Sequence, residues 1–436
     1  MNIILLSGGS GKRLWPLSND VRSKQFFKIF KKEDGSYESM VQRVYRQIKK
    51  VDASAHITIA TSKTQVSAIR NQLGDNFGIS VEPCRKDTFP AIALASLYLH
   101  DVQGVEGSES IVVCPIDPYA EDDYFKMLEE LGKLAEKGVA NLVLMGIEPT
   151  YPSEKYGYII PTNKDAVSSV LTYKEKPDKK TAESYIEQGA LWNAGVFAFK
   201  LSYMLEKAHE SIDFLNYDDL LLKFDTLEKI SFDYAVVEKE KNIKVLRFSG
   251  GWKDIGTWNT LTETMSEFLV GKAEMNETCE NIHIINELGI PIFAMGLKDI
   301  VICASPDGIL VSDKEQSSYI KPYVDKIDQQ IMFAEKSWGS YHVLDAGSDS
   351  LTIKVTIKSG DSMNYHSHNF RDEIWVVVSG EGHTIVDNKK RKVVKGDVII
   401  MKAGCKHTII AISQLVLIEV QLGKEITVQD KQKHQL

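Results

Sequence analysis

Along the first 265 residues, short uninterrupted apolar runs alternate with longer stretches in which apolar positions recur every three or four residues. The runs at 3–6, 56–60, 79–82, 111–114, 142–146, 157–161, 170–175, 195–199 and 244–248 predict strands. The helical spacing predicts helices over 40–49, 63–73, 91–101, 123–137 and 180–188. The run at 3–6 shows no polar alternation, as befits a strand buried on both faces. Strands that alternate with helices in this way predict an α/β domain with a mainly parallel sheet. Ligands of such folds sit beyond the carboxyl ends of the strands.

The pattern changes after residue 277. Runs at 282–285, 290–294, 300–303 and 309–312 are too closely spaced for intervening helices, and Ser305-Pro306-Asp307-Gly308 is a strong turn signal. A small sheet or a few rungs of β-helix is expected there. Residues 325–330 are polar and read as a linker. From 331 to 424 the chain again reads as all-β, with strands at 351–358, 373–378, 382–386, 391–394, 398–401, 407–411 and 415–421 parted by glycine turns. That suits a closed antiparallel barrel or jelly roll. The polar tail, 431–436, is expected to fray.

A length of 436 residues allows two or three such domains. The net charge of -8 argues against a nucleic-acid partner, which would demand a basic surface. No uninterrupted apolar window of about 18 residues predicts a transmembrane helix, and the N-terminus lacks the ordered features of a secretory leader. The five cysteines are scattered, with no C-x-x-C, as expected of reduced thiols in a cytoplasmic protein.

Candidate chemistry begins at the end of the first strand. Gly8, Gly9 and Gly11 lie just past it, with Arg13 beyond. Glycine backbone N–H groups can approach a phosphate closely, and an arginine fork can neutralise it. The spacing is neither that of the Gly-Lys-Ser/Thr loop nor G-x-G-x-x-G, so in isolation the stretch reads as a tight strand-to-helix turn with a surface arginine, and a phosphate site needs partners elsewhere in the chain. Lys24, a short way downstream, can act as a mobile charge on the same phosphates, though on its own it reads as a solvated surface lysine. Asp117 follows a buried strand and suits a Mg²⁺ ligand, or simply an Asp-Pro turn; Asp254, between glycines, is the second carboxylate. The segment 82–91 carries Asp87 and Thr88, which suit a base, a ribose or a helix cap. Glu175 and Asn193 suit sugar hydroxyls, and Lys176 a sugar phosphate, though each segment taken separately also reads as a surface turn.

Taken in order, G-G-S-G-x-R-L-W-P-L-S, K-Q-F, E-P-x-x-K-D-T-x-P-A, P-x-D, Y-G-Y-I, E-K-P, W-N-A-G and W-x-D-I-G-T-W resemble the sugar-nucleotide pyrophosphorylases. More narrowly, L-W-P-L-S at 14–18 and F-D-Y-A-V-V-E at 232–238 resemble the bacterial mannose-1-phosphate guanylyltransferases. The resemblance implies a Rossmann-like nucleotidyltransferase domain over 1–270, a small left-handed β-helix over 271–328 and a cupin domain over 329–436. It implies attack by a sugar-1-phosphate on the α-phosphate of GTP, with Asp117 and Asp254 holding Mg²⁺ and Arg13 and Lys24 stabilising phosphate charge. The implied nucleotide contacts are Leu6, Gly8, Gly9, Gly11, Arg13, Lys24, Lys86, Asp87 and Thr88. Those to the sugar phosphate are Gly157, Glu175, Lys176, Asn193 and Gly195. Two positions depart from the family pattern: Asp87 stands where it has Asn, and Pro118 where it has His. An Asn-to-Asp change removes N–H donors and leaves acceptors, which keeps another sugar-1-phosphate (a manno-heptose or fucose phosphate) or another nucleotide open. A protein that senses sugar nucleotides without turnover is the alternative outside enzymes; the metal carboxylates argue against it.

The C-terminal region carries Gly360-x₅-His366-x-His368-x₄-Glu373-x₆-Gly380 and Gly396-x₅-Lys402-Ala-Gly404-x₂-His407, the spacing of the two cupin motifs. Histidines at i and i+2 of a strand share a face. With Glu373 and His407 they can form a three-His, one-carboxylate site for Zn²⁺ or another divalent metal. A barrel that only packs or dimerises is the alternative. The R-x-E-x-W run at 371–375 resembles type II phosphomannose isomerases, though Phe370 stands where they have His and two extra residues separate His368 from Arg371. A homodimer is expected.

Overall fold

The computed structural model describes every residue except Ser10, Asp20, Asp328, Gln329, Glu425 and Leu436, and the backbone alone of Val428. Ser10 of the glycine loop, two residues of the expected linker and the last of the tail thus lie outside the described residues. The chain divides into two units, residues 1–11 with 23–266, and residues 12–22 with 267–436.

The first unit is built on a nine-stranded sheet in the order Gly78–Glu82, His56–Ser62, Asn2–Ser7, Ser110–Pro115, Leu191–Lys200, Leu142–Ile147, Ile243–Phe248, Val167–Lys174, Tyr158–Pro161. Asn2–Ser7 is apolar because it is central: it pairs in parallel with His56–Ser62 and Ser110–Pro115, and Ile3, Ile4 and Leu5 are wholly buried. The sheet is mixed rather than purely parallel. Leu191–Lys200 runs antiparallel to both its flanking strands, Ser110–Pro115 and Leu142–Ile147, and Val167–Lys174 is also reversed. Apolar content marks a buried strand but not its direction, so the pattern could not foresee this.

Helix Thr88–Leu97 is apolar all round, and Phe89 to Leu97 are all buried. Such a helix must be covered on every side, and Leu201–Ser211 and Tyr217–Lys223, two helices the pattern did not predict, share its core through Met204, Ala208 and Leu220. Met40–Val51 starts on a capping box between Ser39 and Gln42. Among the described residues no helix is long and apolar enough to cross a membrane.

In the second unit, Leu269–Gly271, His283–Asn286 and Ile300–Ser305 stack in parallel, as do Ala273–Met275 and Ile292–Ala294. These are β-helix rungs around Ile282, Ile284, Ala294 and Ile302. Gly308–Asp313 folds back antiparallel on Ile300–Ser305. The turn between them holds residues 12–22: Ser305 Oγ donates to Pro16 O at 2.6 Å, and Asn19 Nδ2 to Asp307 Oδ2 at 2.6 Å. A Cβ on Gly308 would run into the Trp15 ring. Arg22 grips Glu287 with two nitrogens at 2.7 Å each.

The cupin consists of a six-stranded and a five-stranded antiparallel sheet packed around Trp375, Val377, Leu417 and Ile409. The described part of its tail, 431–435, is not frayed. Lys431–Lys433 is a strand paired with His366–His368, and Asp430 accepts from the backbone N–H groups of Asn369 and Phe370 at 2.9 and 3.3 Å. A strand supplied by K-Q-K carries no apolar signature; backbone pairing holds it in the sheet, with Ser367 Oγ 2.8 Å from His434 Nε2 beyond its end.

Candidate active site and a buried histidine cluster

Two cavities of the first unit meet at Pro115 and Asp117, beyond the carboxyl ends of Asn2–Ser7 and Ser110–Pro115. The larger, about 430 Å³, is lined by Leu6, Gly8, Gly9, Lys24, Asp87 and Thr88 among others. Gly8 and Gly9 face open space, since a Cβ there would meet no atom within 4 Å. Gly11 has φ +64°, and a Cβ on it would stand 3.1 Å from Lys24 N. A buried polar network fixes the Lys24 backbone. Gln25 Nε2 donates to Ser7 Oγ and Gln65 Oε1, both at 3.1 Å, and Gln65 Nε2 donates to Ser23 Oγ at 2.7 Å.

The Lys24 ammonium sits between the two carboxylates, 2.8 Å from Asp117 Oδ2 and 3.7 Å from Asp254 Oδ1. It also lies 3.5 Å from the carbonyl of Ile255. Its side chain is 11% exposed, against 38% and 40% for the two aspartates. The carboxylates converge because the short strands Pro118–Ala120 and Trp252–Asp254 pair antiparallel, with Asp254 opposite Pro118. Two carboxylates that reach one point beside a glycine-walled cavity fit a Mg²⁺ ion, which takes one or two carboxylates and completes its shell with water and phosphate oxygens.

Asp87 has φ +73°, and its Oδ1 accepts from Thr88 N at 2.8 Å as a helix cap. Thr88 Oγ1 accepts from Phe232 N at 2.8 Å. Both residues therefore shape the cavity wall through backbone contacts. Lys86 is not among the lining residues; Arg85 and Lys229 are. Glu82, at the end of its strand, lines the cavity too, and burial pushes its carboxyl up to about 7 against the pull of Arg85.

The second cavity, about 220 Å³, is lined by Gly157, Glu175, Asn193, Gly195, Asp233 and Asp254 among others. Its floor is one hydrogen-bonded cluster. Tyr173 Oη lies 2.5 Å from Glu175 Oε2 and 2.9 Å from Asp233 Oδ1; Asn193 Nδ2 donates to Tyr173 Oη at 3.0 Å and to Asp233 Oδ1 at 2.6 Å. Asn193 Oδ1 accepts from Gly195 N at 3.0 Å, and Gly195 takes φ +68° where the strand register slips. A Cβ on Gly157 would collide with the Tyr173 hydroxyl and Glu175, so only glycine fits. Burial, and then the Glu175 charge, raise Asp233 to about 6. Tyr156 packs against Trp192 and Trp252, with centroids 4.9 and 5.6 Å away, as an aromatic wall.

Lys176, at φ +44°, pairs with Glu175 Oε1 at 2.5 Å and does not line the cavity; Lys155 does. Arg13 is exposed on the short turn Lys12–Leu14 of the second unit. Tyr173, Asp233, Glu82, Arg85 and Lys229 were not singled out from the sequence. For Asp233 a signal existed: it lies in the 232–238 stretch used only as a branch marker.

In the cupin, one ligand atom each from His366, His368, Glu373 and His407 lies within 4.8 Å of the others, and all four residues are buried. Hydrogen bonds set the rings. His366 Nδ1 faces Asn364 O at 2.6 Å and His407 Nδ1 faces Cys405 O at 3.0 Å, so both turn Nε2 inward. Glu373 Oε1 lies 3.0 Å from His368 Nε2, and Glu373 Oε2 lies 3.1 Å from His407 Nε2. Glu373 Oε2 and His407 Nε2 are buried without a hydrogen bond of good geometry, as expected of atoms arranged for a cation. Burial drives His366 down to about 2, keeping it neutral as a ligand must be. Arg371 lies 3.1 Å from His368 Nε2 and 3.2 Å from Glu373 Oε1.

Residues 2–270 match the nucleotidyl transferase family, and residues 325–434 the family described as mannose-6-phosphate isomerase C-terminal. The mannose-1-phosphate guanylyltransferase of Salmonella montevideo is 28% identical over 467 residues, 96% of this chain and 95% of that protein. The xanthan biosynthesis protein XanB of Xanthomonas campestris is 30% identical over 471 residues, again 96% and 95%. A crystal structure described as mannose-1-phosphate geranyltransferase from Thermus thermophilus is 25% identical, with a TM-score of 0.63, covering 75% of this chain and 99% of that one. With both matches in place over nearly its whole length, the chain belongs to the nucleotidyl transferase family, in the branch that carries a mannose-6-phosphate isomerase C-terminal domain.

Proposed function

We propose that the chain forms GDP-mannose and pyrophosphate from GTP and mannose-1-phosphate. The observation that carries this reading is the meeting of a glycine-lined cavity with a polyol-sized polar one at Asp117. The cluster of Glu175, Asn193, Asp233 and Tyr173 offers donors and acceptors for sugar hydroxyls. Glu82, beside Thr88, offers a carboxyl at the base end, and a carboxylate suits the adjacent N–H donors of guanine. A phosphate oxygen of the sugar phosphate attacks the α-phosphorus, and the bond to the bridging oxygen of pyrophosphate breaks. Lys24 and the backbone of Gly8 and Gly9 hold the phosphates, while Lys176, paired with Glu175, is the cation for the sugar phosphate. Asp117 and Asp254 would hold Mg²⁺, which when bound withdraws charge from the phosphate oxygens. Pyrophosphate release measured over a grid of nucleoside triphosphates and sugar-1-phosphates tests the reading; the largest kcat/KM with any pair other than GTP and mannose-1-phosphate refutes it.

For the cupin we propose a divalent metal, Zn²⁺ among the candidates, held by His366, His368, Glu373 and His407, with isomerisation of fructose-6-phosphate and mannose-6-phosphate as its activity. The unsatisfied, inward-facing Glu373 Oε2 and His407 Nε2 favour this over a purely structural barrel. Metal analysis with an isomerisation assay decides it: metal-free, inactive protein refutes it. A cytoplasmic homodimer is proposed with both activities, in keeping with five unpaired cysteines; light scattering tests the dimer.

A further inference from the structure

Lys24 occupies the place that the reading above gives to Mg²⁺. Its ammonium lies 2.8 Å from Asp117 and 3.7 Å from Asp254, and the same side chain lines the glycine-walled cavity. The neighbouring backbone is pinned through Gln25 and Gln65, and Gly11 packs against it. Only the four-carbon arm is therefore free to carry the charge elsewhere. Two carboxylates and one ammonium leave a single negative charge at this point; two carboxylates and Mg²⁺ leave none. A lysine and a dication cannot share the position, since like charges a few ångströms apart repel strongly in a partly buried site.

We propose that Lys24 is a resident stand-in cation: it holds Asp117 and Asp254 together before substrate arrives, Mg²⁺ displaces it, and the displaced ammonium moves onto the triphosphate. Metal and nucleotide are then coupled through one side chain. The ion alone must expel a paired lysine into a cavity whose own acids are poor replacements, since burial lifts the Glu82 carboxyl to about 7 and Asp87 is engaged as a helix cap. Nucleotide supplies the anion, and the exchange becomes favourable. Lys24 thereby serves as a positioning residue for the metal as well as a phosphate contact.

The inference rests on the metal reading of Asp117 and Asp254, and the experiment separates the two. Mn²⁺ binding without nucleotide is followed by electron paramagnetic resonance in the wild type, Lys24→Met and Lys24→Met/Asp117→Asn. Lys24→Met should bind Mn²⁺ about tenfold tighter than the wild type, equivalent to about 1.4 kcal/mol, and the added Asp117→Asn should abolish the gain. In the wild type, acetylation of Lys24 by an N-hydroxysuccinimide ester is read by peptide mass spectrometry. Mg²⁺ alone should speed it severalfold, and Mg²⁺ with GTP should slow it again. Equal Mn²⁺ affinities overturn the exchange. So does tighter binding with unchanged labelling, which would mean repulsion at a distance. Mn²⁺ binding to Lys24→Met that the added Asp117→Asn leaves unchanged overturns the metal reading itself. The labelling needs no variant, so misfolding of Lys24→Met leaves the test intact.

Discussion

Asp233→Asn should stabilise the first unit at alkaline pH and destabilise it in acid, while impairing sugar binding. The Asp233 carboxyl is lifted from 3.8 to about 6 by burial and by Glu175. Between these values the folded chain holds a proton that the unfolded chain has lost, so stability falls as pH rises through that window. Above it, the native state carries a cost of about 3 kcal/mol, at about 1.4 kcal/mol per pH unit. Asparagine removes that cost but weakens the acceptor for Asn193 and leaves Tyr173 one partner poorer, a loss of about 1 kcal/mol per bond. The net gain at pH 8 is about 1–2 kcal/mol. For a unit of this size that raises Tm by about 3–6 °C. At pH 4, where Asp233 is protonated in the native state, only the lost bonds remain and Tm should fall by about 3–6 °C. Differential scanning calorimetry at both pH values checks this, with the mannose-1-phosphate KM expected to rise at least about tenfold. A Tm change of the same sign and size at both pH values would refute the reasoning.

Gly157→Ala forces a methyl group against Tyr173 and Glu175. It should cost about 1–3 kcal/mol in denaturant unfolding and raise KM for the sugar phosphate more than for GTP; a wild-type KM would show that the cluster does not bind sugar. Asp117→Ala should lower kcat at least about a hundredfold with an unchanged circular dichroism spectrum, and wild-type turnover would sink its metal role. His407→Ala should reduce metal per chain after purification and abolish isomerisation, since a buried ligand is lost. Ending the chain after Thr427 removes Asp430 and the strand against His366–His368. It should have the same effect on metal content, and full metal occupancy would show that the tail is dispensable.

Much of the fold could be read from periodicity because its strands are buried and therefore apolar: 142–146 was expected and Leu142–Ile147 is found. Helices with mixed surfaces escaped notice. Leu201–Ser211 buries only Leu201, Met204 and Ala208, too sparse a stripe beside so many charges. Lys431–Lys433 escaped for a different reason, being held by backbone pairing, to which side-chain polarity is blind. At the site, residues marked by motif chemistry such as Gly8, Lys24, Asp117 and Asn193 were legible. Asp233 and Tyr173 were not, because their significance comes from meeting Asn193 across 40 and 20 residues of chain. The Asn-to-Asp departure at 87 acquires a local meaning: at φ +73° a short acceptor side chain caps the helix, and aspartate serves that purpose as well as asparagine.

The course of the first two dozen residues bears on how this protein could have been assembled in evolution. Residues 1–11 belong to the nine-stranded sheet, 12–22 to the β-helix unit, and 23 onward to the sheet again. A single recombination breakpoint near residue 266 would therefore not release a self-sufficient transferase. It would strip Trp15 of Gly308, Asn19 of Asp307 and Arg22 of Glu287, turning an indole out into water. The two units are therefore interleaved along the chain rather than joined end to end, and a cut near residue 266 would damage both.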